Sequence, residues 1–148
     1  MKKIGELIMR GRVPVNTNGH KLQLFDGSFK TGYRVTEFRI ASYIPYSSED
    51  CVAKLHTTET TVSIGQWDFA NNQEIAWATW GSPSGTTEGQ SIVDEENMII
   101  QDVYLSNYSQ TGDTPEEVNY YIKLEKYEIT DWQGALSMVR NKSQACSS

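Results

Sequence analysis

The sequence has little cysteine, little proline and no long apolar run, and each scarcity excludes a class of protein. Two cysteines, Cys51 and Cys146, among 148 residues are too few for a disulfide framework and form no CxxC pair. We predict that Cys51 is a small buried strand residue and that the protein is made in a reducing, intracellular compartment. No apolar run approaches the roughly 18 residues of a membrane-spanning helix. The first 16 residues contain lysines, as signal peptides do, but lack an unbroken apolar stretch.

Positive charge is also scarce. The chain has 13 basic against 19 acidic side chains, which gives a formal charge of −6. That balance argues against a protein whose main task is to grip nucleic-acid phosphates. We therefore expect neither a direct nucleic-acid partner nor a membrane.

Motifs that carry chemistry are missing as well. The only two histidines, His20 and His56, lie at strand positions that we predict to face solvent. There is no HxH, HExxH, nucleotide-binding glycine loop or Gly-x-Ser-x-Gly. The acidic stretch 94–97 lacks the calcium-loop pattern and is predicted to be a solvated turn. A Ser-His-Asp arrangement stays open, since such triads assemble across a fold. The sequence predicts no enzyme and assigns no catalytic residue, cofactor or metal.

Aromatic and β-branched residues are abundant, with eight Tyr, four Trp and four Phe. Turn residues recur along the chain, a pattern typical of an all-β protein. We predict an antiparallel, jelly-roll-like β-sandwich in one domain, 1–148, with 1–19 as an N-terminal strand or arm. Its strands are predicted at 6–12, 20–25, 33–42, 51–57, 60–64, 74–80, 98–106 and 119–129. Residues 81–90 and 107–117 are predicted to be loops.

Residue parity refines three of these strands. The apolar positions of 33–42 and of 119–129 switch parity, which predicts bulges near Thr36-Glu37 and near Glu125-Lys126. Strand 51–57 alternates, with Cys51, Ala53 and Leu55 predicted inward and Lys54 and His56 outward. Strand 74–80 is apolar on both faces, so we predict that both are covered.

The C-terminal segment has helical rather than strand spacing. Thr130 and Gln133 form a capping box, and Ala135, Leu136 and Val139 follow at helical intervals. A short C-terminal helix is predicted within 131–142.

Two surface features could mediate binding. Tryptophans can stack on sugar rings, although core packing and subunit contacts are the common uses of Trp67, Trp77, Trp80 and Trp132. The basic residues near the start could meet an acidic neighbour, although a solvated arm is the default. They are Lys2, Lys3, Arg10 and Arg12.

Three stretches carry a family resemblance: LFDGSFKTGYRVTEFRI (24–40), IVDEENMIIQDVYL (92–105) and NYYIKLEKYEITDWQGALSMVRNKSQ (119–144). Together they resemble small virion-associated proteins of tailed phages from marine bacteria and marine viral metagenomes. The resemblance implies a structural role and carries over no functional residue. The middle of the chain, 42–89, is not part of it.

We therefore expect a structural protein of a tailed-phage virion, made in the host bacterial cytoplasm. The leading hypothesis is a capsid decoration or cement protein, a trimer that binds the major capsid protein and stabilises the shell by multivalent contacts. A tail or head–tail joining protein is the second hypothesis, and a carbohydrate-binding adhesion module is the alternative from another class. The residues expected to form contacts are Lys2, Lys3, Arg10, Arg12, Trp132, Leu136 and Val139.

Overall fold

A computed structural model describes residues 2–25, 27, 30–43, 50–61, 63–81, 88–109 and 117–129. They contain eight strands: β1 (Lys2–Pro14), β2 (His20–Leu22), β3 (Thr31–Ser42), β4 (Cys51–His56), β5 (Glu74–Gly81), β6 (Glu88–Val93), β7 (Val103–Tyr108) and β8 (Glu117–Glu128). A three-stranded sheet has the order β1-β8-β3, and a five-stranded sheet has the order β2-β7-β4-β5-β6. Every strand pair is antiparallel. The predicted all-β class is confirmed, and the helix predicted at 131–142 lies outside the described residues.

The two sheets share one hydrophobic core. Phe38 of β3 and Ile122 of β8 are fully buried in one cluster with Leu55 of β4 and Leu105 of β7. Burying each such side chain contributes about 1.5–3 kcal/mol. Cys51 belongs to the same cluster, so its predicted burial is confirmed.

The bulge predicted in β3 is confirmed. The register against β8 shifts between Val35 and Glu37, which leaves Thr36 as the extra residue. The Thr36 hydroxyl donates to the Lys123 carbonyl across the strands, 3.2 Å away. The bulge places both Val35 and Phe38 in the core although their parities differ.

The bulge predicted near Glu125-Lys126 is wrong, because β8 pairs with β3 and β1 without an extra residue of its own. The apolar residues beyond Leu124 instead face the other side of the sheet. There, Ile129 packs with Met98 and Ile100 in a second small cluster. Gly32 of β3 makes room for it, since a Cβ at Gly32 would lie 2.5 Å from the Met98 sulfur.

The long strand predicted at 98–106 is divided between the sheets. Ile99 forms a two-way backbone bridge with Tyr33 of β3, and Val103 then begins β7 in the other sheet. Asp102 sits at the crossing, where its carboxylate accepts hydrogen bonds from the Leu24 and Phe25 amides at 2.8 and 3.0 Å. Although burial opposes it, these bonds and the Lys21 ammonium hold the pKa of Asp102 below its ordinary value.

Other boundaries also differ from the prediction. β1 is longer than expected and pairs with β8 along its length, so residues 2–14 form a strand of the sheet. Residues 88–90, predicted as loop, belong to β6, because pairing with β5 outweighs their Gly-rich composition. The strand predicted at 60–64 is absent from its described positions, since the Thr61 amide and carbonyl bond to the Asn18 side chain instead. Among the described residues there is no helix long and apolar enough to cross a membrane.

Gly19, in the predicted Asn-Gly turn, offers a direct test of this packing. Its φ is +83°, and an added Cβ would lie 1.8 Å from the Glu59 carbonyl oxygen. We expect Gly19→Ala to lower the free energy of unfolding by about 2 kcal/mol or more, because backbone must move as well as adopt a strained angle. Gly5→Ala is the matched control, since no atom lies within 4 Å of a Cβ there. Urea denaturation of both variants measures the difference, and equal stabilities would contradict the turn geometry.

Candidate functional site

The β1 edge, defined as the side of residues 2–14 that faces away from β8, is the most exposed apolar part of the described fold. β1 is 13 residues long and pairs only with β8 among the described strands. Ile4, Leu7 and Ile8 are 47%, 39% and 53% exposed. A long edge strand with exposed apolar side chains is suited to pair with another chain.

The four cations predicted to form contacts all lie on β1, but two of them already have anionic partners. Lys3 bonds to Glu6 and Glu125 at 2.9 and 2.7 Å, and hydrogen bonds to those carboxylates raise its pKa. Arg12 pairs with Glu117 and lies over the Tyr43 ring. Lys2 and Arg10 form no ion pair within the described part of the chain. The other predicted contact residues, Trp132, Leu136 and Val139, lie outside the described residues.

The second candidate site is a buried polar network on the outer face of the five-stranded sheet. The Lys54 ammonium lies 3.0 Å from the Glu74 carboxylate and donates to the Gln66 carbonyl at 2.8 Å. The other oxygen of Glu74 accepts from the Trp77 indole and the Asp68 amide, both at 3.0 Å. Lys54 and Glu74 are 2% and 5% exposed. A charge pair this deep is stable only because several hydrogen bonds satisfy both partners.

A bulge in β5 makes this network possible. The register between β4 and β5 shifts after Leu55, so that Leu55 faces Ala76 and His56 faces Glu74. Ile75 is therefore the extra residue and is buried. As a result Glu74 and Trp77, which have opposite parity, face the same side and form a hydrogen bond.

His56 is buried beside the ion pair, in contrast to the predicted solvent-facing position. Its Nδ1–H donates to the Thr58 carbonyl and its Nε2 accepts from the Ser106 hydroxyl, both at 2.7 Å. Burial lowers its pKa to about 4, so the ring is neutral at pH 7. Ser106 is fully buried and its oxygen also accepts from the Gly19 amide at 2.9 Å. The serine and the histidine are thus both buried, and their hydrogen bond links β4 to β7.

The prediction that Lys54 and His56 face solvent is wrong for a specific reason. Their parity was right, since both point away from the core shared by the sheets. However, part of the segment between β4 and β5 covers this face, with the Gln66 carbonyl on Lys54 and the Asp68 amide on Glu74. The apolar residues on both faces of strand 74–80 indicated that the outer face of this sheet is covered. The predicted burial of both faces is confirmed for Ile75, Trp77 and Ala78.

A polar cavity of about 570 Å³ lies under this covering segment. Its lining combines charged, amide and hydroxyl groups with one indole ring, chiefly Lys54, His56, Gln66, Trp67, Asp68 and Glu74. The buried Trp67 indole N–H has no hydrogen-bond partner among the described residues. Trp67, Phe69 and Trp77 form an aromatic row beside the cavity, with ring centroids 6.3 and 4.6 Å apart.

The remaining predicted sites are simple to place. Asp94, Glu95 and Glu96 are exposed in a turn, as predicted, with the Asp94 carboxylate accepting from the Glu96 amide at 3.2 Å. His20 is half-buried on β2, with its ring 6.2 Å from that of Tyr120. Within the described ranges, no three His, Cys, Asp or Glu side chains are grouped to hold a metal ion. Trp77 and Trp80 do not share a face, since Trp80 packs against the main core.

A scan of protein-family models and a search of curated proteins find no match to this chain.

The buried neutral His56 predicts a loss of stability in mild acid. Between pH 6.5 and 4 the unfolded histidine binds a proton that the folded one excludes, so stability falls as pH decreases. From pH 7 to pH 5 we expect the free energy of unfolding to fall by about 2 kcal/mol. His56→Gln should remove most of this dependence, whereas the control His20→Gln should retain it. Urea denaturation at both pH values is the measurement, and a wild-type protein equally stable at pH 7 and 5 would contradict the assignment.

Proposed function

We propose that this chain is a structural protein of a tailed-phage virion, specifically a capsid decoration or cement protein. Its partners would be copies of itself and the major capsid protein, and its location the virion, after synthesis in the host bacterial cytoplasm. The observation that carries the proposal is the β1 edge, a 13-residue strand with exposed Ile4, Leu7 and Ile8 and no second partner strand among the described residues. The sequence resemblance to virion-associated proteins supports it independently. A tail or head–tail joining protein would use the same surface at a lower copy number.

We also infer a jelly-roll topology. Strand pairing is nested, with β1 beside β8, β2 beside β7 and β4 beside β5. β3 and β6, the remaining pair, are linked by a hydrogen bond from the Ser91 hydroxyl to the Phe38 carbonyl. A jelly roll, in which one long antiparallel ribbon rolls into two sheets, has the same three strand pairs and adds β6 beside β3, whereas here the backbone of β6 pairs with β5. Jelly rolls occur in viral capsid and lectin domains, so the topology supports the proposal at the level of analogy.

A shell protein stabilises a particle by repeating a modest contact many times. Each contact needs little area, because neighbouring copies on the shell raise the effective concentration. The charged residues that alternate with Ile4 and Ile8 on β1 suit this use, since they limit unspecific pairing of the edge. Trp132, Leu136 and Val139 remain predicted contacts in the same proposal.

Purified virions provide the test. Quantitative mass spectrometry should find the protein at hundreds of copies per particle, whereas six or twelve copies would instead identify a neck or tail protein. Ile8→Lys should reduce particle occupancy and lower the temperature of genome release. Ile92→Lys is the matched control, because Ile92 is similarly exposed on β6 but lies on the other sheet. Absence of the protein from virions would refute the proposal.

A carbohydrate-binding module is the second candidate, and the polar cavity is the observation that favours it. Sugars are bound by an aromatic ring that stacks on an apolar face and by polar groups that bond to hydroxyls. Trp67 supplies a ring and an indole N–H that has no partner in the described part of the chain, and Asp68 and Gln66 supply polar groups at the same cavity.

If this candidate is right, the wild-type chain should bind at least one ligand on a glycan array. Trp67→Ala should abolish that binding, whereas Tyr43→Ala, at an exposed aromatic residue just after β3, should not. Should Trp67→Ala unfold the chain, a shift of the wild-type Trp67 indole resonance on ligand titration reports the same contact. An array without signal above background would remove the candidate.

A further inference from the structure

The backbone of β1 shows which of its residues can pair with another strand. Glu117 directs its carbonyl toward the β3 side, where it accepts from the Tyr43 amide at 3.1 Å. In a strand, the N–H and C=O of one residue point to the same side. The pair Pro14–Glu117 therefore forms no hydrogen bonds between β1 and β8, and Pro14 directs its carbonyl away from β8. Consistently, that carbonyl accepts from the Asn107 side chain at 3.1 Å.

The alternation then fixes the rest of the strand. The register against β8 runs without a break from Pro14 back to Gly5. Every second residue from Pro14 therefore turns its backbone groups to the open side, and these residues are Arg12, Arg10, Ile8 and Glu6. Their side chains share the outer face of the sheet with Lys123 and Glu125, the partners of Ile8 and Glu6.

The charges of these residues are self-complementary about Ile8, since acidic Glu6 lies two positions before it and basic Arg10 two positions after it. We propose that β1 pairs antiparallel with β1 of a second copy, with a two-fold axis at Ile8, so that Glu6 of each chain faces Arg10 of the other. Ile8 then packs against its own copy, and on the opposite face Leu7 meets Met9 of the second chain. Three pairs of open backbone positions form about six interchain hydrogen bonds. The result is one continuous sheet of six strands, β3-β8-β1-β1-β8-β3.

Other registers are less favourable. A two-fold axis at Glu6 or Arg10 places like charges opposite each other. An axis at Leu7 sets Ile8 against Glu6, and an axis at Met9 sets Ile8 against Arg10. Only the axis at Ile8 pairs the apolar residue with itself and matches both charges. Arg10 is available for this contact, since it has no ion-pair partner among the described residues.

The ends of β1 limit the ladder. Pro14 has no N–H to donate, so pairing stops there. At the other end the register against β8 shifts between Lys3 and Gly5, which makes Ile4 a bulge residue. Such a two-fold contact uses the same patch on both chains and closes after two copies, so it predicts a dimer in place of the trimer expected from the sequence. The inference rests on the proposed function in taking the β1 edge as the contact surface, and it names that surface's partner and register.

Disulfide trapping in the full-length chain tests the register. Ile8→Cys, in a Cys146→Ser background, should give a covalent dimer on mild oxidation. Paired Cα atoms at a hydrogen-bonded position are about 5.5 Å apart, within the roughly 4.4–6.8 Å that a disulfide spans. The control Glu6→Cys should not crosslink, because the Cα atoms of its two copies would lie about 14 Å apart. Equal crosslinking of both variants, or none of Ile8→Cys, would overturn the register.

Charge reversal tests the same pairing by a second route. Sedimentation should show a wild-type dimer, and Glu6→Arg or Arg10→Glu alone should raise its dissociation constant about tenfold or more. The double variant Glu6→Arg/Arg10→Glu restores opposite charges and should recover dimerisation. Circular dichroism confirms that each variant is folded. A monomeric or trimeric wild type, or a folded double variant no better than the singles, would overturn the proposal.

The two proposals fail separately. A trapped dimer absent from virions refutes the virion role and leaves the β1 pairing intact. A virion protein that gives no Ile8→Cys dimer refutes only the pairing.

Discussion

The buried ion pair between Lys54 and Glu74 determines how the outer face of the five-stranded sheet is covered. β4 lies in the middle of that sheet, so its outward side chains must either reach water or be satisfied locally. Lys54 is satisfied locally, by Glu74 and the Gln66 carbonyl. Burying its charge without a partner would lower the free energy of unfolding by several kcal/mol. The Gln66 carbonyl and the Asp68 amide complete the coordination of the pair. Gln66 and Asp68 are thereby held over the sheet, where both line the polar cavity.

The three-stranded sheet is organised differently. β8 lies at its centre, with Ile122 and Leu124 buried toward the core. β1 pairs with one side of β8 and forms one edge of the sheet, and β3 pairs with the other side. Residues between β4 and β5 therefore cover one sheet, whereas the other ends in β1, which has no second partner strand among the described residues. The proposed ligand binding and the proposed self-association would thus use different sheets.

Parity in the sequence predicted much of the fold and part of the site. The all-β class, the Thr36 bulge and the double burial of 74–80 all follow from alternation of apolar residues, which depends on local sequence alone. The bulge at Ile75 could not be predicted in the same way, because Ala76 and Ala78 make both faces apolar and hide the change of parity. The burial of Lys54 and His56 could not be predicted either, since residues that follow β4 fold onto them and periodicity reports only which residues share a face.

The crossing at Gln101-Asp102 was missed for a related reason. Residues 98–106 form one apolar run, and an apolar run does not reveal that its two halves belong to different sheets. Only the polar pair Gln101-Asp102 marks the break. The Asp102 carboxylate accepts hydrogen bonds from two backbone amides there, as an N-cap side chain does at the start of a helix. The sequence does not predict these bonds, because Leu24 and Phe25 lie more than 70 residues away from Asp102 along the chain.

The bridge between Tyr33 and Ile99 has a consequence for how the sheet can grow. It satisfies the backbone of Tyr33 on the free side of β3, and Ser91 occupies the Phe38 carbonyl on that same side. An incoming strand would have to displace both before it could extend the sheet from β3. At the other border, β1 has no second partner strand among the described residues. Repeated strand addition through both borders of this sheet would therefore require the bonds of β3 to Ile99 and Ser91 to break first.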